Sequence, residues 1–221
     1  RQGRIRFRTW VAYAPVDALD DDEALTAARS AGCRVLRVGF ESIDENTLAE
    51  MRKSQNVAMG PARYAELIRN ARRHGLMLTG EFLIGADSDT HETLRRTREF
   101  ILGSGLDLMR LNVLQPLPGT DLLARWQADG RMLVHDFPRD WDRYQDDAFI
   151  SVVYRPNHLT AEELQDFAID CGREFYSYRR IVSRGLQSAA TTGDAVGASM
   201  MAMVAAKSRG VYYDFRQGNR A

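Results

Sequence analysis

The alternation in Cys33–Ser42 (CRVLRVGFES) limits what this chain can fold into more than any other stretch does. Successive side chains of a strand point to opposite faces. Leu36, Val38 and Phe40 therefore share one face, and Arg37, Gly39 and Glu41 share the other. Two later strands repeat the pattern: Leu76–Gly85 carries Glu81 on its non-apolar parity, and Leu108–Leu114 carries Arg110 and Asn112. Arg8 takes the corresponding place in a first strand over about Ile5–Ala12, where Ile5, Phe7, Thr9 and Val11 form the apolar parity. A parallel sheet must be apolar where helices cover it, so the charged parity belongs on the opposite side, which is the lumen if the sheet curves into a barrel. Charges in a lumen must pair or hold a ligand. A ligand carrying both signs, such as an amino acid derivative, suits these arginines and glutamates together; an internal Arg37–Glu81 pair is the structural alternative.

The segments between the strands read as helices. Asp20–Asp22 caps and complements a helix over Glu23–Ala31, which Gly32 ends. Asp44, with Ile43 and Leu48 as a hydrophobic staple, starts a helix reaching about Lys53, followed by a loop from Ser54 to Gly60. Pro61 opens a helix bearing Tyr64, Leu67, Ile68 and Ala71 at helical spacing. Asp89, with Glu92 at the reciprocal position, caps the next, and Thr120 caps a short one through Trp126. Strand, helix and glycine in repetition argue for parallel strands joined by helical crossovers. Beyond Gly130 the rhythm stops. An aromatic and acidic connector, a short strand over Phe149–Tyr154, a helix with the capping box Thr160/Glu163, and a Met- and Ala-rich helix over about Ala195–Ala206 follow. The expected organisation is a body over residues 1–130 and a mainly helical extension over 131–221.

Several function classes lose support. The 221 residues carry zero formal net charge, so no field favours nucleic acid or an anionic membrane. The longest apolar run, Ala195–Ala206, is too short to span a bilayer. His74, His91, His135 and His158 lack metal-ligand spacing, and Cys33 and Cys171 are far apart, so the chain encodes no metal site. Two separated thiols fit a reducing, cytoplasmic setting.

Taken in order, Gly39-Phe40-Glu41-Ser42, Met51–Asn56, Gly80–Gly85 with Asp87–Thr90, and Leu114–Thr120 (LQPLPGT) resemble the later half of a radical S-adenosylmethionine enzyme, of the group with an N-terminal cobalamin-binding domain. The Phe175–Ser177 region is similar to the C-terminal extension of those proteins, and the resemblance covers about residues 5–185. It implies an α/β fold, a partial TIM-like barrel of parallel strands of which this chain supplies about the last four of six, with a C-terminal helical extension. It further implies a [4Fe-4S] cluster that cleaves S-adenosylmethionine to a 5′-deoxyadenosyl radical, cobalamin as a further cofactor in an N-terminal domain, and a small-molecule substrate. Carried over by position, Glu41 and Ser42 would contact the ribose and methionine end of the cosubstrate. Gly80, Phe82 and Gly85 would run beside the adenine, Pro116 and Leu117 would cover it, and Arg37, Glu81, Arg110 and Asn112 would face cosubstrate or substrate.

The chain departs from the family in having no Cys-x3-Cys-x2-Cys, and it opens at Arg1 on a strand. The expectation is a piece of a longer enzyme, inactive alone, whose N-terminal portion supplies the cluster ligands. Two other classes compete. A barrel enzyme acting on a phosphorylated metabolite would need a glycine-rich phosphate loop at a helix N-terminus, for which Pro118-Gly119-Thr120 is a poor candidate. A non-catalytic binding domain would close its polar lumen with salt bridges.

Overall fold

The computed structural model describes residues 9–136, 138–144 and 149–218. Its centre is a sheet of four parallel strands in the order β1-β2-β3-β4. These are β1 (Trp10–Ala14), β2 (Cys33–Glu41), β3 (Met77–Ile84) and β4 (Leu108–Val113). Between them run α1 (Asp22–Ser30), α2 (Glu45–Glu50), α3 (Ser54–Met59), α4 (Tyr64–Arg73) and α5 (His91–Gly103). After β4 come α6 (Asp121–Ala128), α7 (Ala161–Phe175), α8 (Tyr178–Thr192) and α9 (Ala195–Gly218). The α/β class, the parallel strands and the helical C-terminal part are as the sequence implied.

Register fixes the two faces. Arg37 pairs with Thr79, Gly39 with Glu81, and Glu81 with Arg110. The apolar parity is the core: Phe40 and Phe82 are fully buried and stack with centroids 5.6 Å apart, and Tyr64 of α4 lies 4.9 Å from Phe40. Leu67, Ile68 and Ala71 of α4 and Leu94, Thr97 and Ile101 of α5 are the buried helical stripes over that face. The core continues past residue 130: Trp126 stacks on Tyr154 at 4.1 Å, and both belong to the same apolar cluster as Phe40 and Phe175.

Several local expectations are corrected. The first strand falls on Trp10–Ala14, and residues 1–8, with Arg8, lie outside the described residues. Its parity is opposite to the one expected: Trp10, Ala12 and Ala14 pack on the core, whereas Val11 is 57% exposed, and the β1–β2 register shifts between Trp10 and Val11. Ser54–Met59 is helical, because Asn56 anchors it to the sheet through the carbonyls of Gly39 and Phe40. Thr90, with Thr93, caps α5, since the buried Asp89 carboxylate is taken by the N–H groups of Gly85 and Ala86. Residues 149–154 form no strand; a single bridge joins Tyr154 to Met132. After the helix capped by Thr160 the sequence implies a single helix over about Ala195–Ala206; the chain forms α8 before it, and α9 runs on to Gly218.

The extension also closes β4, whose outer edge would otherwise leave amide groups unpaired. The Tyr176 hydroxyl bonds the Met109 backbone, and the Val113 N–H donates to the Phe149 carbonyl at 2.9 Å. On the opposite side, β1 has no strand beyond it among the described residues.

Candidate functional site

The charged parity of the sheet converges as the sequence pattern suggests. Arg37 and Glu81 form an ion pair across β2 and β3, and the Arg37 guanidinium lies 4.6 Å from the centre of the Tyr13 ring. One strand position further along, Glu41 ends β2 with φ of 62°, a left-handed conformation that a non-glycine residue adopts at a cost. That turn places its carboxylate back over Gly39: a β-carbon there would lie 2.8 Å from Glu41 Oε1. A side chain at Gly39 would displace the Glu41 carboxylate from this position. Lys53 Nζ holds the same oxygen at 2.8 Å. Asn56 fixes the strand end by donating to the Gly39 and Phe40 carbonyls at 2.9 and 3.1 Å and to the Tyr64 hydroxyl at 3.1 Å. Burial, together with the nearby Glu41 charge, pushes the Tyr64 hydroxyl up to about 12, so it stays protonated and donates to the Phe40 carbonyl.

The same face carries polar atoms without partners. Arg37 Nε and Asn112 Oδ1 are buried and make no hydrogen bond. Buried polar atoms of this kind are uncommon and call for an explanation. Arg110 lies over the Phe149 ring at 5.2 Å and has no acidic partner among the described residues.

The expected site residues separate into two groups. Arg37, Glu41, Glu81, Arg110 and Asn112 occupy the charged parity. Gly80 and Phe82 are corrected to the core face, since Phe82 is fully buried and a β-carbon on Gly80 would meet Leu106 at 2.5 Å. Gly85 turns toward the extension: its carbonyl accepts from the Tyr154 hydroxyl at 2.6 Å, and Tyr154 and Leu164 fill the space beside it. Ser42 is buried with its hydroxyl accepting the Asp44 N–H at 3.1 Å, which commits it to the start of α2. Pro116 is buried and Leu117 is half exposed in the loop after β4. Lys53, Asn56 and Tyr13 were not singled out from sequence: Lys53 and Asn56 reach the site from the segment that starts α3, and Tyr13 from β1, whose parity is opposite to the one expected.

The lower half of the charged face, toward the strand starts, is covered by α9. Its N-terminal turn approaches β3 so closely that a β-carbon on Gly197 would lie 2.7 Å from Met77 Cε. At its far end Tyr212 fills the space left by Gly172 of α7. Between helix and sheet runs a groove of about 450 Å³, bounded by Val35, Arg37, Thr79, Leu108 and Arg110 on one side and Met201, Val204 and Val211 on the other.

No family model matches the chain. Its sequence is 26% identical over 175 residues to the bacteriochlorophyllide d C-12(1)-methyltransferase of Chlorobaculum tepidum, covering 79% of this chain and 36% of that protein. It is 36% identical over 118 residues to the hopanoid C-2 methylase of Rhodopseudomonas palustris, covering 53% of this chain and 22% of the relative. An anaerobic magnesium-protoporphyrin IX monomethyl ester cyclase of Cereibacter sphaeroides is 27% identical over 160 residues, 72% of this chain and 24% of the cyclase. Among solved structures, the radical S-adenosylmethionine methyltransferase TsrM of Kitasatospora setae, with cobalamin and a [4Fe-4S] cluster bound, aligns with 71% of this chain and 30% of that one at 19% identity and a TM-score of 0.48. The curated proteins it resembles in sequence are thus methyltransferases, a methylase and a cyclase. It spans about a third of the length of the first curated relatives it matches.

Proposed function

We propose that this chain forms the cosubstrate- and substrate-facing strands of a radical S-adenosylmethionine methyltransferase. One observation carries the reading: the Glu41 carboxylate, backed by Lys53 and seated over Gly39, stands on the same sheet face as the Arg37–Glu81 pair and the partnerless amide oxygen of Asn112. A molecule that carries ribose hydroxyls and an amino group supplies what these groups lack, namely donors to carboxylate and amide oxygens. The methyltransferase relatives support the same assignment.

Bound S-adenosylmethionine would supply the methyl group or, after reduction, a carbon radical. This chain's own residues bind and orient. Glu41 accepts from the ribose hydroxyls, and its left-handed backbone holds the carboxylate at the strand exit before the ligand arrives. Pro116 and Leu117, in the loop after β4, are proposed to close over the ligand. The iron–sulfur cluster does not fit the residues described. Cys33 and Cys171 are both fully buried, burial pushes the Cys33 thiol up and the Cys171 thiol up to about 12, and no group of three or more metal-capable side chains occurs among the described residues. No step is therefore routed through a cluster held by this chain, and no residue here is assigned to cobalamin.

The test is equilibrium dialysis of labelled S-adenosylmethionine against the 221-residue chain, with Glu41→Gln and the remote surface variant Glu92→Gln alongside. Saturable retention that Glu41→Gln weakens at least tenfold and Glu92→Gln leaves intact is the expected result. Retention indifferent to Glu41, or none by the folded chain, overturns the placement.

A further inference from the structure

The groove beneath α9 differs in chemistry from the strand exits above it. Its walls are aliphatic and aromatic: Val35 and Leu108 from the sheet, Met201, Val204 and Val211 from α9, and Tyr176 at the end of α7. Val204 is about half exposed and Val11, at the rim, more so, although nothing in the described residues covers them. An apolar recess of this size with a few convergent polar groups is what small-molecule sites look like. Two cations enter it, and they are not equivalent. Arg37 is neutralised by Glu81, whereas among the described residues Arg110 has the Phe149 ring against it and no carboxylate. Among the described residues no carboxylate lines the groove, and Arg110 is the cation there without an acidic partner.

We infer that this groove binds the substrate, and that the substrate is a largely apolar molecule bearing a carboxylate that pairs with Arg110. The inference rests on the reading of this sheet face as the interior of an S-adenosylmethionine enzyme, and it adds the substrate class. The apolar body lies between Val35 and Leu108 below and Met201 and Val204 above. The planar guanidinium takes the carboxylate in a two-pronged hydrogen bond, which is the geometry that distinguishes arginine from lysine. α9 is then a substrate-binding wall, and the Met- and Val-rich side it turns to the groove is adaptable to a rigid apolar body. Glu41 and Glu81, on the same sheet face but closer to the strand exits, fall outside the groove lining, which keeps the cosubstrate and substrate ends apart.

The probe is 1-pyrenebutyrate, a fluorescent polycyclic acid, with the neutral 1-pyrenebutanol as its uncharged counterpart. Both are titrated into the full chain and into Arg110→Met and Val204→Glu, with far-ultraviolet circular dichroism confirming that each variant is folded. Expected are one saturable site that prefers the acid at least tenfold over the alcohol, loss of that preference in Arg110→Met, and loss of both ligands in Val204→Glu, whose new carboxylate enters the groove wall from a solvent-exposed position. Equal binding of acid and alcohol, acid binding unaffected by Arg110→Met, or binding that survives Val204→Glu would each overturn the inference. The two proposals fail separately. Loss of S-adenosylmethionine retention with Arg110-dependent pyrenebutyrate binding sinks the cosubstrate reading alone, and the reverse pattern sinks the substrate class alone.

Discussion

The hydroxyl of Tyr176 accepts the Met109 N–H at 3.1 Å and donates to the Met109 carbonyl at 2.6 Å, so a side chain stands where the backbone of a further strand would. The group is fully buried, and burial pushes its hydroxyl up to about 12, which keeps the donating proton in place through the physiological range. Tyr176→Phe keeps the ring, and with it the stack on Tyr212 at 5.7 Å, but leaves a buried N–H and a buried carbonyl unpaired. The expected cost is about 1–3 kcal/mol, read as a lower urea midpoint with unchanged slope. A midpoint within error of the wild type would mean that water replaces the hydroxyl and that the extension does not seal this edge.

Glu41 tests whether its backbone is held in the left-handed region for the sake of its side chain. Glycine adopts φ of 62° freely, so Glu41→Gly relieves local strain while losing the Lys53 contact and adding freedom to the unfolded chain. These effects offset, and the variant should unfold within about 1 kcal/mol of the wild type. Glu41→Val, with a branched β-carbon in the same backbone position, should be about 1–2 kcal/mol less stable than Glu41→Gly. Both should fail to retain S-adenosylmethionine. Equal stability of the two variants would show that the strand end relaxes and that no strain is stored there.

What could be read in advance follows from the periods involved. The two-residue alternation of β2, β3 and β4 identified the charged face, because register in a buried sheet leaves each side chain one choice of side. Alternation also puts Gly80 and Phe82 on the core parity, opposite Glu81; it was the family resemblance that set them beside a ligand, and alternation itself failed in β1, which shifts register at Trp10 and turns Val11 outward. Capping signals identified Asp44, Thr120 and Thr160 correctly, yet Asp89 and Thr90 are adjacent residues that both suit a cap, and tertiary hydrogen bonds from Gly85 and Ala86 decided between them. Least legible was α9. Its weak amphipathicity reflects contact with α8, α7 and the sheet on different sides, so no single stripe marks the face that walls the groove.

Among the described residues Arg72 and Asp107 form the most buried ion pair, at 2.9 Å, joining α4 to the loop before β4. Asp107 also accepts the Leu78 N–H at 2.8 Å, and Arg72 reaches the Gly105 carbonyl at 2.7 Å and Thr191 of α8 at 3.0 Å. Asp107→Ala strands a guanidinium with little access to water and should cost about 3–5 kcal/mol. Adding Arg72→Met removes the orphaned charge and should recover at least about 1 kcal/mol of that loss, a sign that a simple sum of two contacts cannot produce. The check is a double-mutant cycle of urea midpoints; strict additivity would mean that the pair is solvated in solution.

Glu174 joins α7 to α5 and α8: Arg98 Nε donates to its Oε2 at 3.0 Å and Arg180 Nη2 to its Oε1 at 3.2 Å. The Arg98 hydrogen bonds, helped by the charges of both arginines, hold its carboxyl below the ordinary value of 4.5. A carboxyl whose folded pKa is depressed adds stability that is present above the unfolded value and is lost as pH falls through the folded one. The pair is about a third exposed, which limits its worth to about 1 kcal/mol or less. Glu174→Gln should therefore be slightly less stable than the wild type at pH 7, and the gap should close once the pH has dropped well below 4.5. Urea midpoints of the two proteins followed from pH 7 to pH 3 give the answer. A constant gap across that range would assign the effect of the substitution to packing and leave the depressed carboxyl without a part in acid unfolding.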